Sequence, residues 1–165
     1  MKFNLGFFVL ALLIPSHLVA GLYLAALTDP KTEIKLLFNL SSVAWVGFGI
    51  LFHELLHILG FTLVSKIKLS NIKPKIFPPR LYINQPIKRS TIFFPLILPF
   101  FCLSMVPLVV GIYTQHTGLT LFGAIMMTSC AGDFYLIYKA RQFQSSEFLV
   151  DDPIAIGWKP VESQS

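Results

Sequence analysis

Charge is what this chain has least of. Only 13% of its 165 residues are Asp, Glu, Lys or Arg, about half the roughly 25% usual in a soluble domain. Acids are scarcest, eight against thirteen Lys and Arg. Hydrophobic residues reach 55% and the mean hydropathy is +0.71. Together these exclude an ordinary water-soluble domain and imply an integral membrane protein. Cysteine is nearly absent. Cys102 and Cys130 both lie in apolar runs and read as small buried residues, not as a disulfide. There is no internal repeat and no low-complexity segment, so residues 1–165 read as a single domain. The net charge of +5 would suit a nucleic acid, but its placement argues against one. Seven of the thirteen basic residues fall between Lys66 and Arg89, with no acid among them. That bias marks a cytoplasmic loop, and no nucleic-acid partner is expected.

Four apolar runs stand out, at about residues 5–27, 36–64, 91–113 and 118–138. Each is long enough to cross about 30 Å of hydrocarbon. The expected fold is therefore an all-α membrane protein, a four-transmembrane-helix bundle. The first run is longer than the 7–15 apolar residues usual in a cleaved signal peptide, so it is expected to stay as a span, kinked at Pro15. Pro95, Pro99 and Pro107 should kink or break the third span, which requires neighbours or water to satisfy the freed carbonyls. In the basic loop, residues 66–90, four prolines (Pro74, Pro78, Pro79 and Pro86) forbid a continuous helix. Alternation at Lys75-Ile76-Phe77 and Arg80-Leu81-Tyr82-Ile83 predicts a short β-hairpin, or an irregular loop, between the second and third helices. Its basic side chains would lie near anionic headgroups, making the lipid bilayer a partner. Its extended edge, at Tyr82 and Ile83, could take an unwound substrate segment as an added strand. Lys2, the loop, Lys139 and Arg141 all favour the cytoplasm. The chain is thus expected to be multi-pass in the cell membrane with both termini cytoplasmic. Residues 142–165 read as a polar cytoplasmic tail with a little structure around 154–158. A homo-oligomer is compatible with all of this.

The second run carries His53-Glu54-Leu55-Leu56-His57. Histidines four apart project from one helix face and can bind one Zn²⁺, and the glutamate beside the first can act on a zinc-activated water. Composition alone gives this pattern in about one chain in several hundred. Each ionisable group within a span costs on the order of 2.5–3.5 kcal/mol, so three within five residues call for a compensating partner, and a metal is one. The bland alternative is core histidines bonded to a neighbouring helix.

A catalytic zinc usually has three protein ligands and one open position. The fourth run contains a single acid, Asp133, in Ser129-Cys130-Ala131-Gly132-Asp133. If the second and fourth helices start near Phe38 and Gly118, His53 and Asp133 each lie 15 residues in, level at roughly 22 Å along their helices. Asp133 leads as third ligand because a carboxylate among apolar residues needs a cation. Cys130 is second, since thiolate also binds zinc and it lies three residues away. His17, in the kinked first run, is a weaker candidate near the site, and His116 lies at the wrong depth.

The motif at 53–57 in a second membrane helix, the basic loop after it and the Gly132-Asp133 pair in a fourth helix resemble the membrane zincin peptidases of prokaryotes. These are in turn similar to the core of site-2 intramembrane metalloproteases. The resemblance spans about residues 37–158. It implies zinc held by His53, His57 and Asp133, with Glu54 as general base, and cleavage of peptide bonds in or beside the membrane. One departure is that site-2 proteases carry Asn and Pro ahead of the aspartate and Gly after it, whereas here Gly132 precedes and Phe134 follows. The function expected is a zinc-dependent endopeptidase acting on membrane-protein or peptide substrates. The alternative is a non-catalytic zinc-binding membrane scaffold or chaperone, and a metal transporter is a weaker third.

Overall fold

A computed structural model describes residues 40–75, 80–151 and 157–161. The first expected span, residues 5–27, lies outside the described residues, and His17 with it. The described elements run in the order helix α1 (Leu40–Leu63), strands β1 (Ile72–Lys75), β2 (Arg80–Ile83) and β3 (Ile87–Lys88), helix α2 (Phe93–Pro99), a π-helical segment (Phe100–Met105), helices α3 (Val106–Tyr113), α4 (Thr117–Ser129) and α5 (Ala131–Ala140), then strands β4 (Phe148–Asp151) and β5 (Trp158–Pro160). Three stretches among them, Ala44–Leu63, Arg89–Tyr113 and Thr117–Ala140, are long and apolar enough to cross a membrane. They match the second, third and fourth expected spans. Along α1, Trp45, Phe48, Leu51, Phe52 and Leu55 are each more than half exposed, the pattern of a helix whose outer side meets lipid.

The described residues fall into two compact units, one from residues 40–53 and 99–132, the other from 54–98 and 133–161. In the first, the third span does not break at its prolines. Pro107 falls in the first turn of α3, where a missing N–H costs little. After Pro99 the helix widens into π turns over Phe100–Met105, one way a helix absorbs a lost i→i−4 bond. α4 packs closely on this stretch. A β-carbon at Gly123 would lie 2.5 Å from the Leu108 nitrogen and 2.8 Å from the Ser104 oxygen, so only glycine allows that approach. Leu108, Leu121 and Ala124 are buried there, with Met127 against them. His116, set aside as a ligand for its depth, caps α4: its Nδ1 accepts the Leu119 N–H at 3.1 Å.

In the second unit the expected hairpin is present. β1 and β2 pair antiparallel with Ile72 opposite Ile83 and Lys75 opposite Arg80, so the first strand lies nearer the N-terminus than the alternation at 75–77 suggested. The tail departs more from expectation. Instead of a polar extension it supplies β4 and β5, which join β3 in an antiparallel sheet of order β3-β4-β5, with Ile87 opposite Leu149 and Asp151 opposite Trp158. The all-α expectation is amended accordingly, with two small sheets among the described residues. The physical reason is burial. Ile83, Ile87, Ile92 and Leu149 join Phe61, Leu96 and Ile137 in one core, and burying a side chain of that size contributes about 1.5–3 kcal/mol. Polar ties hold the tail and loop in place. Trp158 Nε1 donates to the Leu136 carbonyl at 3.1 Å, Arg89 Nε to the Ala140 carbonyl at 3.1 Å, and the Ile83 N–H to Asp151 Oδ2 at 3.4 Å.

Candidate metal centre

The second unit brings His57 and Asp133 together. His57 Nε2 lies 3.0 Å from Asp133 Oδ1, and both residues are buried. α1 supplies the histidine and the first turn of α5 the aspartate. A carboxylate near a helix N-terminus is favoured by the helix dipole, which eases the burial of Asp133. The other side of the His57 ring is fixed as well, because Nδ1 lies 2.9 Å from the Pro95 carbonyl oxygen. α1 reaches α2 at this level because Gly60, one turn beyond His57, has no side chain. A β-carbon there would lie 2.7 Å from Pro95 Cα.

His53 stands one turn before His57 on the same uninterrupted helix, where 3.6 residues per turn put both rings on one face. It too is buried. Among the described residues, His53, His57 and Asp133 form the three-residue group with the chemistry to hold a metal ion. Two imidazoles and a carboxylate fit zinc in number and chemistry, with one coordination position to spare. Glu54 follows His53 on α1 and is half-buried.

The other expected site residues are placed differently. Cys130 is fully buried and turned into helix packing: its thiol faces the Met126 carbonyl at 3.5 Å and the Ser104 hydroxyl at 3.7 Å, and it is not part of the three-residue cluster. Tyr82 is half-buried on β2 opposite Lys73. The Ile83 side chain is 3% exposed and belongs to the core, so at that position only the backbone could meet a partner, and its N–H is held by Asp151. Two contacts went unread in the sequence, the Pro95 carbonyl on His57 and the Ser129 hydroxyl, 3.4 Å from His53 Nδ1. The first had a signal. Proline at 99 cannot donate to the carbonyl at 95, four residues earlier, so that oxygen is left for another donor.

Paired histidines one turn apart and a carboxylate are metal donors of the zincin type, and the glutamate within the motif is the residue that serves as general base in such metallopeptidases. The chain belongs to the family described as "putative zincin peptidase", which it matches over residues 46–148, a stretch holding His53, Glu54, His57 and Asp133. No curated protein and no solved structure gives a significant match.

Proposed function

We propose that this chain is a zinc-dependent endopeptidase that hydrolyses peptide bonds of membrane-associated substrates, in or beside the bilayer. The observation that carries the reading is the meeting of His57 and Asp133 at 3.0 Å, between two stretches long and apolar enough to cross a membrane. Family membership supports the metallopeptidase part of it, and the apolar outer side of α1 supports a membrane setting. His53, His57 and Asp133 would hold the metal. Zinc so held supplies Lewis acidity, polarising a carbonyl and making water a nucleophile near neutral pH.

Glu54 is the proton carrier. It accepts a proton from the attacking water as the water oxygen bonds to the scissile carbonyl carbon. It then passes that proton to the amine nitrogen as the carbon–nitrogen bond breaks, so no net proton is gained or lost at the enzyme. A helical substrate hides its carbonyls in hydrogen bonds and must unwind before attack. The β1–β2 hairpin, near Tyr82, is the proposed place for the unwound segment to lie as an added strand. The membrane is the proposed location, with both chain ends on the cytoplasmic side.

The test uses the full chain in proteoliposomes with a set of apolar membrane-segment peptides, reading cleavage products by mass spectrometry. Wild type should cut at least one peptide. Glu54→Gln should keep its zinc and lose cleavage by about a hundredfold or more. Equal cutting by Glu54→Gln, or none by zinc-loaded wild type across peptides of varied sequence, would reject the peptidase reading.

A further inference from the structure

We infer that Ser129 is the positioning residue of His53, as the Pro95 carbonyl is of His57, and that the pair fixes Nε2 as the nitrogen each ring offers to a metal. This rests on the metal-site reading above and adds to it which ring atoms coordinate and what holds them.

Hydrogen bonding at the far nitrogen fixes each ring. Pro99 has no N–H, so the carbonyl of Pro95 lacks the donor an ordinary helix would give it from that position. His57 Nδ1 takes the place, at 2.9 Å. A carbonyl oxygen only accepts, so the proton must sit on Nδ1. Nε2 is then the nitrogen left for the site, and it is Nε2 that faces Asp133 Oδ1 at 3.0 Å.

His53 is held by a different acceptor, the Ser129 hydroxyl. The Ser129 hydroxyl lies 2.7 Å from the Met126 carbonyl, three residues earlier in α4, and its single proton is committed there. What the oxygen retains is a lone pair. His53 Nδ1 lies 3.4 Å from that oxygen, so this nitrogen too must carry the proton and donate it. Both rings therefore take the same tautomer by different means, one through a proline-released carbonyl and one through a serine hydroxyl. An acceptor on the far nitrogen is the usual way a protein orients a metal-binding imidazole and raises its basicity. The Ser129 bond is the longer of the two, so its effect should be the smaller. Ser129 is itself exposed, and removing its hydroxyl opens no cavity in a packed core.

Full-length protein in detergent is titrated with zinc against a chromophoric chelator. Wild type should take one zinc per chain. Ser129→Ala should bind zinc about 10-fold more weakly, the lower end of the usual effect of losing such a partner. Ser129→Thr, which restores the hydroxyl, should return to within about 2-fold of wild type. Circular dichroism and thermal midpoint without metal should be the same for all three, which a merely structural role would not give. Isotope-labelled histidine spectra of the zinc-loaded protein should show the proton on Nδ1 of both rings. Wild-type affinity in Ser129→Ala, or a metallated Nδ1 on either ring, would overturn this inference and leave the metal site standing. Failure of wild type to take zinc would overturn the metal site and this inference together.

Discussion

Gly60 and Pro95 touch backbone to backbone: a β-carbon on the glycine would sit 2.7 Å from the proline Cα and 3.0 Å from its Cβ. This contact, one turn past His57, sets how near α2 comes to α1, and so whether the Pro95 carbonyl can reach the imidazole. Gly60→Ala should therefore push α2 away, costing about 1–3 kcal/mol of stability and weakening zinc binding. Gly47, on the same helix, has nothing within 4 Å of its missing β-carbon. Gly47→Ala should be neutral or stabilising by up to about 1 kcal/mol, the helix preference for alanine. Thermal unfolding in detergent, with metal analysis of both variants, checks the contrast.

Metal content should follow the cluster and ignore its neighbours. His53→Ala, His57→Ala and Asp133→Ala should each purify with zinc reduced from one per chain to near none. Cys130→Ala should retain it, because that thiol faces the Met126 carbonyl and Ser104. Loss of zinc from Cys130→Ala with retention in Asp133→Ala would exchange their roles.

Zinc should also stabilise the fold measurably. A ligand that binds only the folded state adds about 2.7 kcal/mol at a free concentration about a hundred times its Kd. Adding zinc to metal-free wild type should raise the thermal midpoint, and a chelator should reverse the rise. In His57→Ala the shift should vanish.

The tail sheet should prove structural. Leu149 is wholly buried opposite Ile87, and Leu149→Ala should cost about 2–5 kcal/mol. Limited proteolysis should then cut near residues 84–90 and 144–150 at protease levels that leave wild type whole. Unchanged digestion would mean that the sheet contributes little.

The parts of the site written in local spacing were legible from sequence. His53, Glu54 and His57 lie within five residues, and Asp133 is the one acid in its span, so polar cost in an apolar setting singled them out. Asp133 led, but sequence left Cys130 second and not excluded, because the two are three residues apart and either could face a neighbour. The choice depends on the turn between α4 and α5, where Cys130 turns toward Ser104. The hairpin was legible from alternation and proline, but not its register. The β3-β4-β5 sheet was not legible at all. β3 has only two residues, too few for a periodic signal, and its partner strand lies some sixty positions later in the chain, where only three-dimensional packing can bring them together.

That distant pairing bears on how the protein can be handled. A chain trimmed after α5, on the reasoning that helices carry the chemistry, would strip Leu149 from Ile87 and the Asp151 carboxylate from the Ile83 amide. It would also leave Arg89 without the Glu147 carbonyl that its own N–H bonds. The residues that lead into α2, and so to the Pro95 oxygen on His57, would begin from an unanchored strand. For this protein the last stretch of chain is a foundation laid under the loop, and expression designs that discard it would be working with a different molecule.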